Sequence, residues 1–223
     1  MTPSATIRIV DDELATRTAL ERLLRAAGYC ALTFASSDEL LKSETLREPG
    51  CLLLDVHMPG MNGIELQEAL ARTAVSLPII FLTCHGNIPM SVRAMKSGAV
   101  DFLTKPVEKG DLLRAIQSAV QLDTRLRKEC AERSELEVRF STLTPREREV
   151  FALVVDGKLN KQIAGDLGTG EQNIKMHRGQ VMRKLQVQSL ADLVKLAQRL
   201  GTSGTHELYA ARSGAHGAPR PRV

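Results

Sequence analysis

Short apolar runs recur through the first half of the chain: Thr6–Val10, Cys30–Phe34, Cys51–Leu54, Ile79–Leu82 and Val100–Leu103. Bounded by turn residues, such short runs read as buried strands. Between them, Leu14–Ala27, Ser37–Leu46, Gly63–Ala71, Met90–Ser97 and the segment from Lys109 onward read as helices. Gly28 and Gly98 stand where helix C-caps are expected. This β/α alternation predicts a parallel sheet with helices on both faces.

The pattern then changes. After Gly110 there is neither Gly nor Pro as far as Phe140, and Leu112, Ile116, Ala119, Leu126 and Cys130 form one stripe interrupted by Asp123. A long helix is expected to leave the first domain here as a linker. It reads either as a weak coiled coil or as a solvated single helix packed at one end. Structure restarts at Leu143-Thr144-Pro145-Arg146-Glu147. There Thr144 suits an N-cap, Pro145 the first helical position, and Glu147 completes a capping box. Helices follow at Pro145–Val155, Lys161–Leu167, Gln172–Leu185 and Ser189–Leu200, with Gly157 and Gly168 separating the first three. Gly, Ser, Ala, Pro and Arg dominate 201–223, which predicts a disordered basic tail.

Composition narrows the class. A chain of 223 residues with 43% hydrophobic residues can build one large domain or two ordinary ones. With 3% aromatics and no Trp, aliphatic residues must fill the cores. No apolar stretch approaches the roughly 20 residues that span a bilayer, and the N-terminus lacks the features of a signal peptide. The cysteines at 30, 51, 84 and 130 have no metal-binding spacing and read as reduced thiols of a cytoplasmic protein. The formal net charge of +4 is unevenly spread: residues 1–120 carry −2 and residues 141–200 carry +4. An acidic first half and a basic second half suggest different partners, with nucleic acid the natural one for the second.

Candidate chemistry lies at the strand exits, where open parallel sheets place their sites. The first run ends in Asp11-Asp12-Glu13, the third in Asp55, the fourth in Thr83 and the fifth in Lys105-Pro106. Taken singly, Asp11-Asp12 is a helix N-cap, Thr83 a strand end and Lys105 a surface lysine. Together they bring carboxylates, a hydroxyl and an ammonium to one sheet edge. Clustered carboxylates repel, and a hard divalent cation such as Mg²⁺ relieves that repulsion.

These motifs resemble the receiver domain of bacterial response regulators over roughly residues 5–122. The matching segments are Val10-Asp11-Asp12-Glu13, Leu54-Asp55-Val56-His57-Met58-Pro59-Gly60-Met61-Asn62-Gly63, Thr83, and Asp101-Phe102-Leu103-Thr104-Lys105-Pro106. The resemblance implies that Asp55 takes a phosphoryl group from a sensor histidine kinase. It implies Mg²⁺ held by Asp12 directly, by Asp11 through water, by Asp55 and by the backbone carbonyl of His57. Lys105 and Thr83 would contact phosphoryl oxygens, and Thr83 and Phe102 would form the switch that leads to dimerisation. Cys84 stands where Gly or Ala is frequent. His57 and His85 occupy positions where the family varies and tunes the lifetime of the acyl phosphate; the alternative is two solvent-exposed histidines.

Residues 144–200 resemble the LuxR-type DNA-binding domain of NarL/FixJ regulators. The segments are Thr144–Val150, Gly157-Lys158-Leu159-Asn160-Lys161-Gln162-Ile163-Ala164, Ile174-Lys175-Met176-His177-Arg178 and Val181-Met182-Arg183-Lys184-Leu185. Lys161–Leu167 is the implied scaffold helix and Glu171–Leu185 the recognition helix, with Ile174, Val181 and Leu185 facing inward. DNA contacts are implied for Asn160, Lys161, Asn173, Lys175, His177 and Arg178. Gly170 and Asn173 replace the Ser or Ala and the Thr common in the family, and Gly170 weakens the helix cap.

The expected fold is a flavodoxin-like, doubly wound five-stranded parallel sheet in a receiver domain (1–122), a helical linker (123–140) and a small four-helix helix-turn-helix domain (141–200). The expected function is a phosphorylation-dependent transcription regulator of the FixJ type, not an enzyme. Its partners would be a sensor kinase, promoter DNA, a second copy of itself and the transcription machinery. A DNA-binding protein using its receiver only to dimerise is one rival. An aspartyl-phosphate hydrolase is another, but such enzymes carry their nucleophile after the first strand, whereas Asp55 follows the third.

Overall fold

The computed structural model describes residues 5–73, 75–84 and 88–201. His85 and 202–223, with the expected disordered tail, lie outside the described residues. The chain divides into two compact units, Met1–Lys128 and Glu129–Val223.

In the first unit, β1 (Thr6–Val10), β2 (Cys30–Phe34), β3 (Gly50–Asp55), β4 (Ile79–Thr83) and β5 (Asp101–Thr104) form an all-parallel sheet in the order β2-β1-β3-β4-β5. The chain runs outward from β1 to β2, then crosses back to β3. The order therefore reverses between β1 and β3, the crevice where such sheets bind ligands. Leu52 and Leu54 face a core shared with α2 (Ser37–Leu41), α3 (Gly63–Ala71) and α4 (Ile88–Lys96). Cys51 and Leu53 face the opposite core, with α1 (Leu14–Ala26) and the start of α5 (Lys109–Ser141). Burial on both faces explains why β3 reads as an unbroken apolar run rather than an alternating one.

The helix expected over Ser37–Leu46 is shorter. It ends at Leu41, and a 3-10 turn, Glu44–Arg47, follows. Ser43 caps that turn by accepting from the Thr45 amide at 3.2 Å. Asp123 does not merely interrupt the α5 stripe. It is buried, and its carboxylate accepts from the Gly50 amide at 2.9 Å.

In the second unit, α6 (Pro145–Val155), α7 (Asn160–Asp166), α8 (Glu171–Leu185) and α9 (Leu190–Leu200) enclose a core that includes Val150, Phe151, Ile163, Ile174, Val181 and Leu193. Phe140, near the end of α5, packs edge-on against Phe151 with centroids 5.2 Å apart. The capping box of Thr144 and Glu147 forms. Buried Glu147 also pairs with Lys184 at 2.6 Å. Burial works against its charge, but the bonds from Lys184 and Thr144 outweigh it and hold the carboxyl below its ordinary range. No described helix is long and apolar enough to cross a membrane.

Candidate functional site

Strand register assembles the acidic site. Val10 pairs with Leu54 and Asp55 with Leu82, so the residues after β1, at the end of β3 and at the end of β4 sit side by side. One carboxylate oxygen from each of Asp11, Asp12 and Asp55 lies within 4.8 Å of the others. Lys105, just past β5, reaches Asp11 at 2.6 Å and Asp55 at 3.3 Å. With Glu13, His57 and Cys84, these residues line an open cleft of about 510 Å³. Asp11 and Asp55 are buried, whereas Asp12 and His57 are exposed.

Local bonds fix each group. The Asp11 carboxylate accepts from the Glu13 amide at 2.9 Å, and its backbone carbonyl accepts from Arg17 at 2.6 Å. The backbone amide of His57 donates to Asp55. Thr83 is fully buried, and its carbonyl accepts from the Lys105 amide at 2.7 Å. Phe102 is half-buried, its ring centroid 6.1 Å from that of Phe81. Gly63 opens α3 directly against the exit of β3. A Cβ there would stand 2.3 Å from the backbone oxygen of Asp55. Arg17 was not singled out by sequence reasoning, because an arginine near the start of an amphipathic helix carries no signal of its own.

The second unit presents α7, a turn through Gly168 with φ +60°, and α8. Gly170 leaves α8 without a side-chain cap, but the Asn173 side-chain Nδ2 donates to the Thr169 hydroxyl at 3.1 Å and ties turn to helix. Lys161, Asn173 and Lys175 are exposed. Arg178 is half-buried and donates to the Asn160 side chain at 3.1 Å, joining α8 to α7. His177 is half-buried, and its Nδ1 has no hydrogen-bond partner. The outward stripe of α8 also includes Gln172, Met176 and Arg183, which sequence reading did not select. Only tertiary structure separates these free side chains from the tied ones.

The family model described as "Response regulator receiver domain" matches residues 7–117, and that described as "Bacterial regulatory proteins, luxR family" matches 141–197. Nodulation protein W of Bradyrhizobium diazoefficiens is 43% identical over 202 residues, covering 91% of this chain and 89% of that protein. The chain belongs to the response regulators of the NarL/FixJ family. The transcriptional regulatory protein FixJ of Bradyrhizobium diazoefficiens is 38% identical over 201 residues, covering 90% of this chain and 98% of that one. The solved structure of response regulator StyR is 46% identical with a TM-score of 0.78, covering 88% of this chain and 99% of that one.

Electrostatics of this response regulator's cleft follow from its geometry. Burial pushes the Asp55 carboxyl above its ordinary range. Lys105 pulls it back and Asp11 pushes it further up, and the net direction is upward. Burial also works against the Lys105 ammonium, but its bond to Asp11 and the charges of both acids outweigh that and raise its pKa. A carboxyl harder to ionise in the folded than in the unfolded chain costs stability as pH rises through and above its ordinary value of 3.8. At neutral pH, Asp55→Asn should therefore raise the melting temperature of the cation-free protein by a few degrees. Lys105 retains its nearer partner, Asp11. The gain should vanish in acid, below both Asp55 values. A melting temperature lowered by the substitution at pH 7 would contradict this electrostatic account.

Proposed function

We propose that this response regulator accepts a phosphoryl group on Asp55 from a sensor histidine kinase, dimerises through its receiver, and binds two-half-site promoter DNA through its second unit. The observation that carries the reading is the convergence of Asp11, Asp12, Asp55 and Lys105 in one cleft of a chain that also bears α7 and α8. The proposed acceptor machinery is Asp55 as nucleophile and Lys105 and Thr83 as partners of the phosphoryl oxygens. Phe102 joins Thr83 as the switch. The protein acts as a phosphoryl acceptor in the cytoplasm, not as a turnover enzyme.

Clustered hard oxygen donors fit Mg²⁺. Asp11, Asp12, Asp55 and the His57 carbonyl would hold it, and when bound it supplies charge neutralisation for phosphoryl transfer. The chain's own groups do the positioning. Asp11 holds Lys105 at the mouth of Asp55, and the His57 amide fixes the Asp55 carboxylate. An apolar groove of about 470 Å³, lined by Ala19, Leu20, Leu23, Pro106 and Val107 among others, opens beside the cleft and suits a docking kinase helix.

For DNA, Lys161 and Lys175 offer exposed ammonium groups, and Asn173 an exposed side-chain amide whose nitrogen also donates to Thr169. Asn160 and Arg178 act together to hold the reading helix against α7, and His177 flanks them. Gln172 and Met176 join the face that enters the major groove. A glutamine suits adenine and an apolar side chain a thymine methyl. Lys175→Ala should weaken specific binding with or without phosphorylation. A phosphate partner would appear as a salt slope lower by about 1, and a base partner as relaxed sequence preference. The test is titration of selected DNA at several salt concentrations. Binding identical to wild type throughout would remove α8 from the interface.

A further inference from the structure

At the edge of the sheet opposite Asp55, a polar cluster of buried Asp123 and half-buried Arg127 joins the linker helix to the start of the phosphoacceptor strand. The last α5 residues in the sheet core are Ala119 and Val120. Attachment then continues through polar groups. Asp123, 1% exposed, accepts from the Gly50 amide at 2.9 Å. Arg127 Nε donates to both oxygens of Asp123, at 2.9 and 2.8 Å. Its Nη1 donates to the Arg47 carbonyl and its Nη2 to the Glu48 carbonyl, both at 2.9 Å. All three guanidinium nitrogens are thus engaged in a planar fork that lysine cannot reproduce.

The receiving loop is itself locked. Arg8, fully buried in β1, donates to the Glu48 carbonyl at 3.1 Å, to the Thr6 carbonyl at 3.0 Å and to the Thr45 carbonyl. Gly50 has φ +145°, and a Cβ there would stand 1.9 Å from the Thr6 oxygen. The compact unit ends at Lys128, one residue past Arg127.

We propose that Asp123 and Arg127 form a clasp that fixes where the linker helix leaves the receiver, and that this clasp couples receiver dimerisation to DNA binding. The coupling part rests on the function proposed above. With the clasp closed, dimerised receivers present both linkers from fixed exit points after Lys128. With it open, the exit retreats toward Val120. The added slack lowers the effective concentration of the second DNA-binding unit at its half-site.

The test uses the full-length protein with Arg127→Ala and Arg127→Lys, and Arg133→Ala as the control. Arg133 makes an exposed pair with Glu137 at 3.0 Å on the same helix. Amide exchange over 121–130 should accelerate by about tenfold or more in both Arg127 variants, the equivalent of losing charge-assisted bonds. Phosphoryl uptake should stay at the wild-type rate, while the gain in DNA affinity on phosphorylation should fall severalfold. Arg133→Ala should leave all three unchanged. Unchanged exchange in the Arg127 variants would show that no clasp holds the helix. A phosphorylation-dependent gain retained in full despite faster exchange would overturn the coupling. A wild-type protein with no gain at all would overturn the proposed function, and the coupling with it, leaving exchange to judge the anchor alone.

Discussion

Asp55→Ala should abolish stable phosphorylation by a kinase or a small phosphodonor. The acceptor must reach a donor, have its developing charge neutralised and be held in line, and phosphoryl transfer depends on such positioning more than on other covalent help. Of the acids in the cleft, Asp55 alone is both held at its carboxylate by the His57 amide and within 3.3 Å of Lys105. Asp11 is buried and already engaged by Lys105 and the Glu13 amide. Asp12 is exposed and suits a cation better than a nucleophile's place. Mass spectrometry after incubation with phosphodonor and Mg²⁺ should find phosphate on wild type at Asp55 and none on the variant. Stable phosphate on another carboxylate of Asp55→Ala would sink the assignment.

Gly63→Ala should be nearly as damaging, by a different route. The new methyl would meet the Asp55 backbone carbonyl at 2.3 Å, where no flexible side-chain end can yield. Either the start of α3 backs away, losing the Gly63 amide's bond to the Val56 carbonyl at 3.1 Å, or the exit of β3 moves. Overpacking of this kind costs about 1–3 kcal/mol, and backbone contact puts it at the upper end. Asp55 would shift with its own carbonyl, so phosphorylation should slow well beyond the loss of folded protein. Gly110→Ala, in the first turn of α5 with nothing within 4 Å of the added carbon, is the control and should be neutral or slightly stabilising. Equal melting temperature and phosphorylation rate for Gly63→Ala and wild type would contradict the close packing described.

The sheet was legible because its central strands are buried on both faces, so Cys51–Leu54 reads as one apolar block ending on a carboxylate. Register then brought Asp11 beside Asp55 without further information. The helix over Ser37–Leu46 was overextended because Ser43 is a polar residue that a periodicity reading absorbs. Only its bond to the Thr45 amide shows that the chain restarts there. Arg8 lay hidden inside an apolar run, since nothing local says that its guanidinium will find three backbone carbonyls. Asp123 was visible as an exception to a stripe, but its partner, Gly50, is 73 residues away. The same limit applies to α8: Arg178 and Lys175 look alike in sequence, and only the Asn160 contact separates them.

The most direct measurement is DNA affinity and self-association of the full-length protein, titrated over protein concentration with and without phosphodonor, beside Asp55→Ala. The account predicts that phosphorylation tightens wild-type dimerisation and, through it, promoter binding, while Asp55→Ala responds in neither. If the dimerisation constant and the DNA affinity of fully phosphorylated wild type both equal those of the unphosphorylated protein, the central claim is contradicted.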